Sequence, residues 1–412
     1  MPLPALNRSG NLSTAWLLVL AFLAMTAPFA TDLYLPGFPR VQQDFAATAS
    51  GVQLTLTGFL IGMAFGQLGF GALSDRHGRI VPLLCGNVLA LASSALAAAA
   101  PSIEVLVAAR LGQGLGGAAG VVIARAIIVD LTHDSETART MSLMMTVGGI
   151  APILAPSIGA FLQGPFGWRG VMWTLAGLFA LMMCAVALVF GETRPPEERH
   201  GASLLGGLAQ VVRVRRYLLF AALFATTFAV MMTYISASSF VYQNVMGFSA
   251  VGYGLAFGLN AAGLITSGYI SSRLARTVGP LRTVRVAVPT LFAFCVLTLV
   301  VALLPGPRWL LAVPIWLAVT TVGFIMGNST ALALGAVRHV SGSGSAGLGF
   351  AQFVFGALVS PLSGIGGADT ALPMAVLMTM AGGVATLLLA MASRRARVLA
   401  GQQERDESDE RQ

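Results

Sequence analysis

Two ionisable side chains stand where water is scarce. Asp32 lies near the end of the apolar run 15–36, and Arg110 lies near the start of the run 104–129. A charge at the centre of a membrane-length apolar helix costs about 2.5–3.5 kcal/mol on insertion scales, so such groups face a cavity or a partner. At 1.5 Å of rise per residue, the two sit at matching depths when counted from the same side. A carboxylate there can take up and release a proton. A guanidinium beside it would hold it ionised until protonation or a ligand rearranges the pair. A static ion pair is the structural alternative. The four histidines, His77, His133, His200 and His339, all fall in polar connections. The other acids lie at run boundaries: Asp44, Glu104 and Asp369 on one side, and Asp75, Asp130, Asp134 and Glu136 on the other. Proton carriage inside the apolar segments therefore falls to Asp32.

A second concentration of chemistry is Gly71-Ala72-Leu73-Ser74-Asp75-Arg76-His77-Gly78-Arg79, a charged turn between two long apolar runs. One carboxylate, two guanidiniums and glycines in so short a stretch suit a hydrogen-bonded turn at a membrane surface. Arg110, Gln113, Gly114 and Gly117 share one helix face, which admits either a substrate or a neighbouring helix. Ala151, Ala155 and Gly159 repeat every four residues beside Pro152 and Pro156, a pattern for close packing with a local bend. Tyr34, Tyr234, Asn260, Asn328 and Gln352 interrupt otherwise apolar segments and are candidates to line a cavity. The 17 methionines and 23 phenylalanines suit a pliable apolar pocket. Arg125, nearer the other end of its run, is placed to snorkel.

The elements that must hold these groups are membrane spans. Of 412 residues, 56% are hydrophobic and 10% charged, a balance foreign to water-soluble domains. Runs of about 20 apolar residues, enough to cross a bilayer, recur at 15–36, 51–73, 81–100, 104–129, 140–162, 170–190, 217–241, 250–271, 286–304, 309–334, 346–367 and 371–393. All 24 basic residues are arginines. With the N-terminus in the cytoplasm, Arg40, Arg169 and Arg308 fall outside, Arg110 and Arg125 fall within spans, and the remaining 19 are cytoplasmic. That asymmetry follows the positive-inside rule. The net charge of +8 is matched by anionic headgroups, because no basic face interleaved with aromatics speaks for nucleic acid. The first run is too long for a signal peptide and carries Asp32, so it reads as a retained span. Cys85, Cys184 and Cys295 are isolated in apolar segments, without metal or redox spacing. No nucleophile–base pair or phosphate loop speaks for an enzyme, and no cofactor or metal site is expected.

The longest internal polar stretch, 192–216, divides the spans six and six. Gly71–Arg76 is echoed by Gly268-Tyr269-Ile270-Ser271-Ser272-Arg273 at an offset of 197. A duplicated six-helix unit explains both, and it places a substrate cavity between the halves near the midplane, served by rocking of one half against the other. The expected architecture is all-α, with twelve transmembrane helices in two pseudo-symmetric six-helix bundles. It comprises a cytoplasmic segment 1–14, a bundle 15–191, a cytoplasmic linker 192–216, a second bundle 217–393 and a disordered cytoplasmic tail 394–412.

These residues resemble the major facilitator superfamily, specifically the twelve-span drug:proton antiporters of its bicyclomycin and chloramphenicol resistance (Bcr/CflA) branch. Gly71, Leu73, Asp75, Arg76, Gly78 and Arg79 fit the loop motif between helices 2 and 3, with Ile80 where a second basic residue is usual. Asp32-Leu33-Tyr34-Leu35-Pro36 with Phe38-Pro39 resembles the branch's helix 1 signature, and Arg110-x-x-Gln113-Gly114 its helix 4 motif. The helix 5 antiporter motif is kept in part, at Pro152, Pro156 and Gly159, with Ala155 and Ala160 replacing glycines. The resemblance implies a gate of Gly71, Asp75, Arg76, Gly78, Arg79 and Asp130. In it Arg79 pairs with Asp130, and Asp75 faces the helix 11 start near Ser345-Ala346, which holds the outward-open state. It further implies proton-driven efflux of small hydrophobic, phenicol- or bicyclomycin-like compounds by a monomer in a bacterial cytoplasmic membrane, with Asp32 and Arg110 coupling protons. Ala24 stands where some relatives carry a second acid, which favours neutral or singly charged substrates. A narrow exporter of an endogenous metabolite or sugar is the alternative on the same fold.

Overall fold

In lipid every backbone polar group must be satisfied internally, so apolar runs of this length are compelled to be helices. A computed structural model describes residues 12–132, 134–198 and 204–409 and is all-α. The principal helices are α1 (Thr14–Asp32), α2 (Phe38–Asp44), α3 (Ala49–His77), α4 (Ile80–Ala98), α5 (Ile103–Leu131), α6 (Asp134–Val189), α7 (Leu204–Val211), α8 (Arg215–Phe240), α9 (Ala250–Thr277), α10 (Pro280–Leu303), α11 (Ala312–Gly335), α12 (Ser341–Val359) and α13 (Leu372–Asp409). Among the described residues eleven helical stretches are long and apolar enough to cross a membrane. One of them, 149–189, is 41 residues long and is broken at Gly167, whose φ of 61° and ψ of −175° no helix contains. At 1.5 Å per residue such a stretch is about twice the hydrocarbon thickness, long enough for two passes.

Short polar caps start the helices on one face of the molecule. Thr48 accepts from the Gly51 N–H at 3.0 Å and Ser249 from the Gly252 N–H at 3.1 Å, equivalent positions at the heads of α3 and α9. The internal repeat is visible in the packing. α3 and α4 lie on α5 as α9 and α10 lie on α11, and α1 meets α6 as α8 meets α13. The halves join where α3 meets α12 and α6 meets α9, again a symmetric pair of contacts. Within the first half, α3 and α5 approach so closely that a Cβ at Gly62 would strike the Leu111 carbonyl and one at Gly114 the Phe59 carbonyl. Small residues permit that approach, and van der Waals packing then supplies the attraction that lipid does not.

Three sequence expectations shift. The charged stretch from Gly71 is not a turn throughout: residues 71–77 form the last two turns of α3, and the chain reverses at Gly78, whose φ of 86° disfavours any side chain. The connection expected at 163–169 shrinks to the break at Gly167. The final helix runs on to Asp409, through the tail expected to be disordered, because Arg, Ala, Leu, Gln and Glu are good helix formers whatever their charge density. The segment 1–11 and the stretch 199–203, within the expected cytoplasmic segment and linker, lie outside the described residues.

Candidate functional site

α1 ends at Asp32, which is buried with 5% exposure, and Thr31 Oγ1 donates to its Oδ1 at 2.9 Å. The carboxylate borders a cavity of about 220 Å³ at the junction of the halves. Ala27, Pro28 and Thr31 of α1, Phe59 and Leu60 of α3 and Pro152 of α6 form one wall. Phe228, Met231, Met232, Tyr234 and Ile235 of α8, Phe257 and Asn260 of α9, Val319 of α11 and Gln352 and Phe353 of α12 form the other. The walls are apolar and aromatic, and Asp32 is the one formal charge among these lining residues. A second cavity of about 550 Å³ shares Met231 and Leu264 with the first and extends toward the arginine-rich face, past Gly268, Ser271 and Asn328.

Arg110 is not beside Asp32. The four ion pairs among the described residues do not include this couple, and Arg110 does not line the cavity. Its NH1 donates to the Ala30 carbonyl at 2.7 Å and to Gln113 Oε1, while the guanidinium lies between the rings of Phe59 (4.7 Å) and Tyr34 (5.0 Å). Among the described residues its buried Nε and NH2 find no hydrogen-bond partner. The guanidinium is thus engaged by a backbone carbonyl of α1 and by Gln113 rather than by the Asp32 carboxylate. Depth alone could not reveal this.

The remaining candidates divide. Tyr234, Asn260 and Gln352 border the central cavity, and Asn328 borders the second one. Tyr34 and Gln113 do not reach either cavity: the Tyr34 hydroxyl accepts from Thr55 at 3.3 Å, and Gln113 Nε2 donates to Ser94 at 2.7 Å. Both belong to the polar packing around Arg110. Pro152 touches the cavity, Pro156 supplies backbone that abuts Gly254 of α9, and Gly159 lies so close to α1 that a Cβ there would collide with the Leu33 carbonyl.

At the opposite face, Arg79 is the hub of a charged cluster. Its Nε and NH2 donate to the two oxygens of Asp130 at 2.8 and 3.1 Å, a bidentate pair, and its NH1 reaches Asp75 at 2.8 Å and Ser74 at 3.0 Å. Burial pulls the Arg79 guanidinium down, but the hydrogen bonds it donates to Asp130 and Asp75 and their negative charges outweigh it and hold its pKa above the ordinary value. Asp75 also accepts from Arg194 at 2.7 Å. Among the described residues its partners are thus Arg79 and Arg194, and the contact with the start of α12 at Ser345-Ala346, implied for the outward-open state, is not among them. Glu192, which sequence reasoning passed over, accepts from the Arg79 N–H at 2.8 Å and so caps α4. Its signal was an acid and a base, Glu192 and Arg194, at a span end. Gly71 packs against Val122, Gly78 makes the turn, and Arg76 is exposed.

The echo in the second half carries amide chemistry where the first half carries charge. Ser74 accepts from Arg79, and its counterpart Ser271 accepts from Asn328 at 2.7 Å. Asn328 therefore belongs to the second half's version of the charged cluster.

The hydrogen bonds that cross between halves sit at the Asp32 face. Gln53 Nε2 donates to the Ser236 carbonyl at 3.1 Å, Ser360 Oγ to the Gln53 carbonyl at 3.4 Å, Thr57 Oγ1 to the Ala357 carbonyl at 3.2 Å and Gln243 Nε2 to the Pro36 carbonyl at 3.1 Å. Among the described residues, Arg79, Asp75 and Asp130 have side-chain partners in α3, α5, the turn between α3 and α4 and residues 193–194. The halves are thus tied to each other by hydrogen bonds at the Asp32 face.

Comparison with known proteins follows this geometry. The model of the Major Facilitator Superfamily matches residues 20–361. The chain is 34% identical to the uncharacterized MFS-type transporter YdgK of Bacillus subtilis, over 90% of this chain and 94% of that protein. It is 30% identical to a bicyclomycin resistance protein homolog of Haemophilus influenzae, over 91% and 94%. The crystal structure of the human organic anion transporter MFSD10 (TETRAN) shares the fold, with a TM-score of 0.62 at 19% identity, over 92% of this chain and 99% of that one.

Proposed function

From a chain that belongs to the Major Facilitator Superfamily, a transporter family and not an enzyme family, we propose proton-driven export of small, largely hydrophobic compounds by alternating access. The observation that carries this reading is a single carboxylate, Asp32, in an otherwise apolar cavity at the junction of two symmetric halves. Protonation neutralises Asp32, and a carboxylate with so few polar neighbours exchanges its proton only when the cavity opens to water. Phenicol- or bicyclomycin-like molecules, uncharged and compact, fit such walls. Likeness to a bicyclomycin resistance protein homolog supports the Bcr/CflA branch.

In this reading α6 supplies two spans, giving twelve. The bundles are 15–191 and 217–393, joined by the linker 192–216, and both termini face the cytoplasm of a bacterium, since the arginine-rich face is the inner one. The protein acts as a monomer. Asp32 carries the proton, and Arg110 acts at one remove by holding the end of α1 through the Ala30 carbonyl. The cavity residues are Tyr234, Asn260 and Gln352, and the inner gate is Asp75, Arg76, Gly78, Arg79 and Asp130 with Gly71. An exporter of one metabolite or a sugar is disfavoured by the lining, because a sugar's hydroxyls need more polar partners than Thr31, Asp32, Tyr234, Asn260 and Gln352 provide. The test is accumulation of a chemically varied drug panel in cells with and without the gene, before and after an uncoupler. Lower accumulation of several apolar compounds, abolished by the uncoupler, is expected. Protection against a single polar compound would overturn the reading.

A further inference from the structure

We propose that Tyr234, oriented by Asn260, is the second half's hydrogen-bond partner for the Asp32 carboxyl group and links its protonation to the position of that half. The inference rests on the reading of Asp32 as the proton site. Asp32 and Tyr234 border the same cavity from opposite halves. One carboxyl oxygen of Asp32 accepts from Thr31, and the other has no hydrogen bond among the described residues. The Tyr234 ring is stacked on Phe257, with centroids 5.6 Å apart and planes 24° from parallel. Its hydroxyl oxygen accepts from Asn260 Nδ2 at 3.0 Å, which leaves its own proton to donate, and among the described residues nothing takes that proton.

Asn260 is the clamp. Its Nδ2 also meets the Tyr242 hydroxyl at 3.2 Å and the Ala256 carbonyl at 2.9 Å, one N–H going to the carbonyl and the other shared by the two tyrosine oxygens. The carbonyl can only accept, so the amide's orientation is fixed with nitrogen toward the tyrosines. The other end, Oδ1, is buried without a partner among the described residues, so the donors account for the residue's placement. Around Asp32 the remaining ionisable groups are engaged elsewhere. Arg110 of α5 holds Ala30 and stacks with Tyr34, and the Tyr253 hydroxyl of α9 pairs with Ser238 at 2.9 Å. α3, α6, α11 and α12 contribute uncharged groups to the cavity. As a carboxylate, Asp32 accepts from the Tyr234 O–H and ties α1 to α8. Once protonated it is a poorer acceptor, and the tie between the halves is released. Asn260 sits on α9, whose Gly254 and Gly258 pack on the α6 backbone, so the clamp is built into the contact that must move.

The experiment is a pH titration of the Asp32 carboxyl C=O stretch by infrared difference spectroscopy on the purified full chain, with the band assigned by its loss in Asp32→Asn. A donor to the carboxylate favours the ionised form, so Tyr234→Phe is expected to raise the titration midpoint by about one pH unit. Asn260→Leu, which leaves the hydroxyl in place but unheld, is expected to raise it by less. It supplies the reading if Tyr234→Phe does not fold. Tyr242 meets the same amide nitrogen without bordering the cavity, so Tyr242→Phe is expected to leave the midpoint in place. A wild-type midpoint in Tyr234→Phe, or in Asn260→Leu where that stands in, overturns the inference even if proton-driven transport requires Asp32. A shifted midpoint with transport indifferent to Asp32→Asn would instead sink the proton-site reading while the contact stands.

Discussion

Arg79 shows what a single side chain can do at a membrane surface. It is 4% exposed, and four of its contacts are charge-assisted or hydroxyl bonds to three different residues. Removing one partner of a buried ion pair costs about 3–5 kcal/mol, whereas an exposed pair contributes under about 1 kcal/mol. Asp75 is 40% exposed at its side chain and Asp130 17%. Arg79→Ala is therefore expected to lower the thermal unfolding midpoint of the detergent-solubilised protein clearly more than Asp75→Ala, with Asp130→Ala between them. Equal losses would show that the bidentate pair is not the hub. At this scale residue type and depth were legible in the sequence, and the Arg79–Asp130 contact is present as the motif implied. Azimuth was not legible: Asp32 and Arg110 match in depth but do not pair, because a rotation of a helix about its axis leaves hydropathy unchanged. Glu192 and Arg194 escaped notice for another reason, since a chain folding back on itself after a span has no periodicity to read.

Helices in lipid are placed by how near their backbones can come, and α6 meets α1 at Gly159. A side chain there would enter the Leu33 carbonyl, backbone that cannot yield as a flexible side chain would. Gly159→Val is expected to cost about 1–3 kcal/mol by overpacking and to displace the end of α1 that carries Asp32, so transport should fall more than protein abundance. Assay of both in membranes checks this, and full transport at normal abundance would contradict it. The repeat and the span positions were readable at this scale because apolar periodicity and glycine spacing determine them. The break at Gly167 and the extension of α3 to His77 were not, because a polar residue in the last turn of a helix looks like a loop residue in a hydropathy profile.

The whole molecule is two similar halves packed along α3–α12 and α6–α9 and hydrogen-bonded to each other at the Asp32 face. Gln53 is central to those bonds, donating to Ser236 and accepting from Ser360 with its side chain wholly buried. Gln53→Ala removes a bond between halves without touching the cavity lining, and is expected to favour the state open at the Asp32 face. A cysteine placed at Thr31 should then label several-fold faster from the outside with a membrane-impermeant maleimide. Unchanged labelling would mean that these bonds do not hold that face. The central claim, that the cavity carboxylate is the proton carrier, is tested most directly in everted membrane vesicles holding the wild type or Asp32→Asn. With an imposed inside-acid gradient, uptake of a drug identified by the panel is expected for the wild type and absent for Asp32→Asn, while gradient-free exchange of that drug persists. Uptake by Asp32→Asn that still follows the pH gradient would contradict the account.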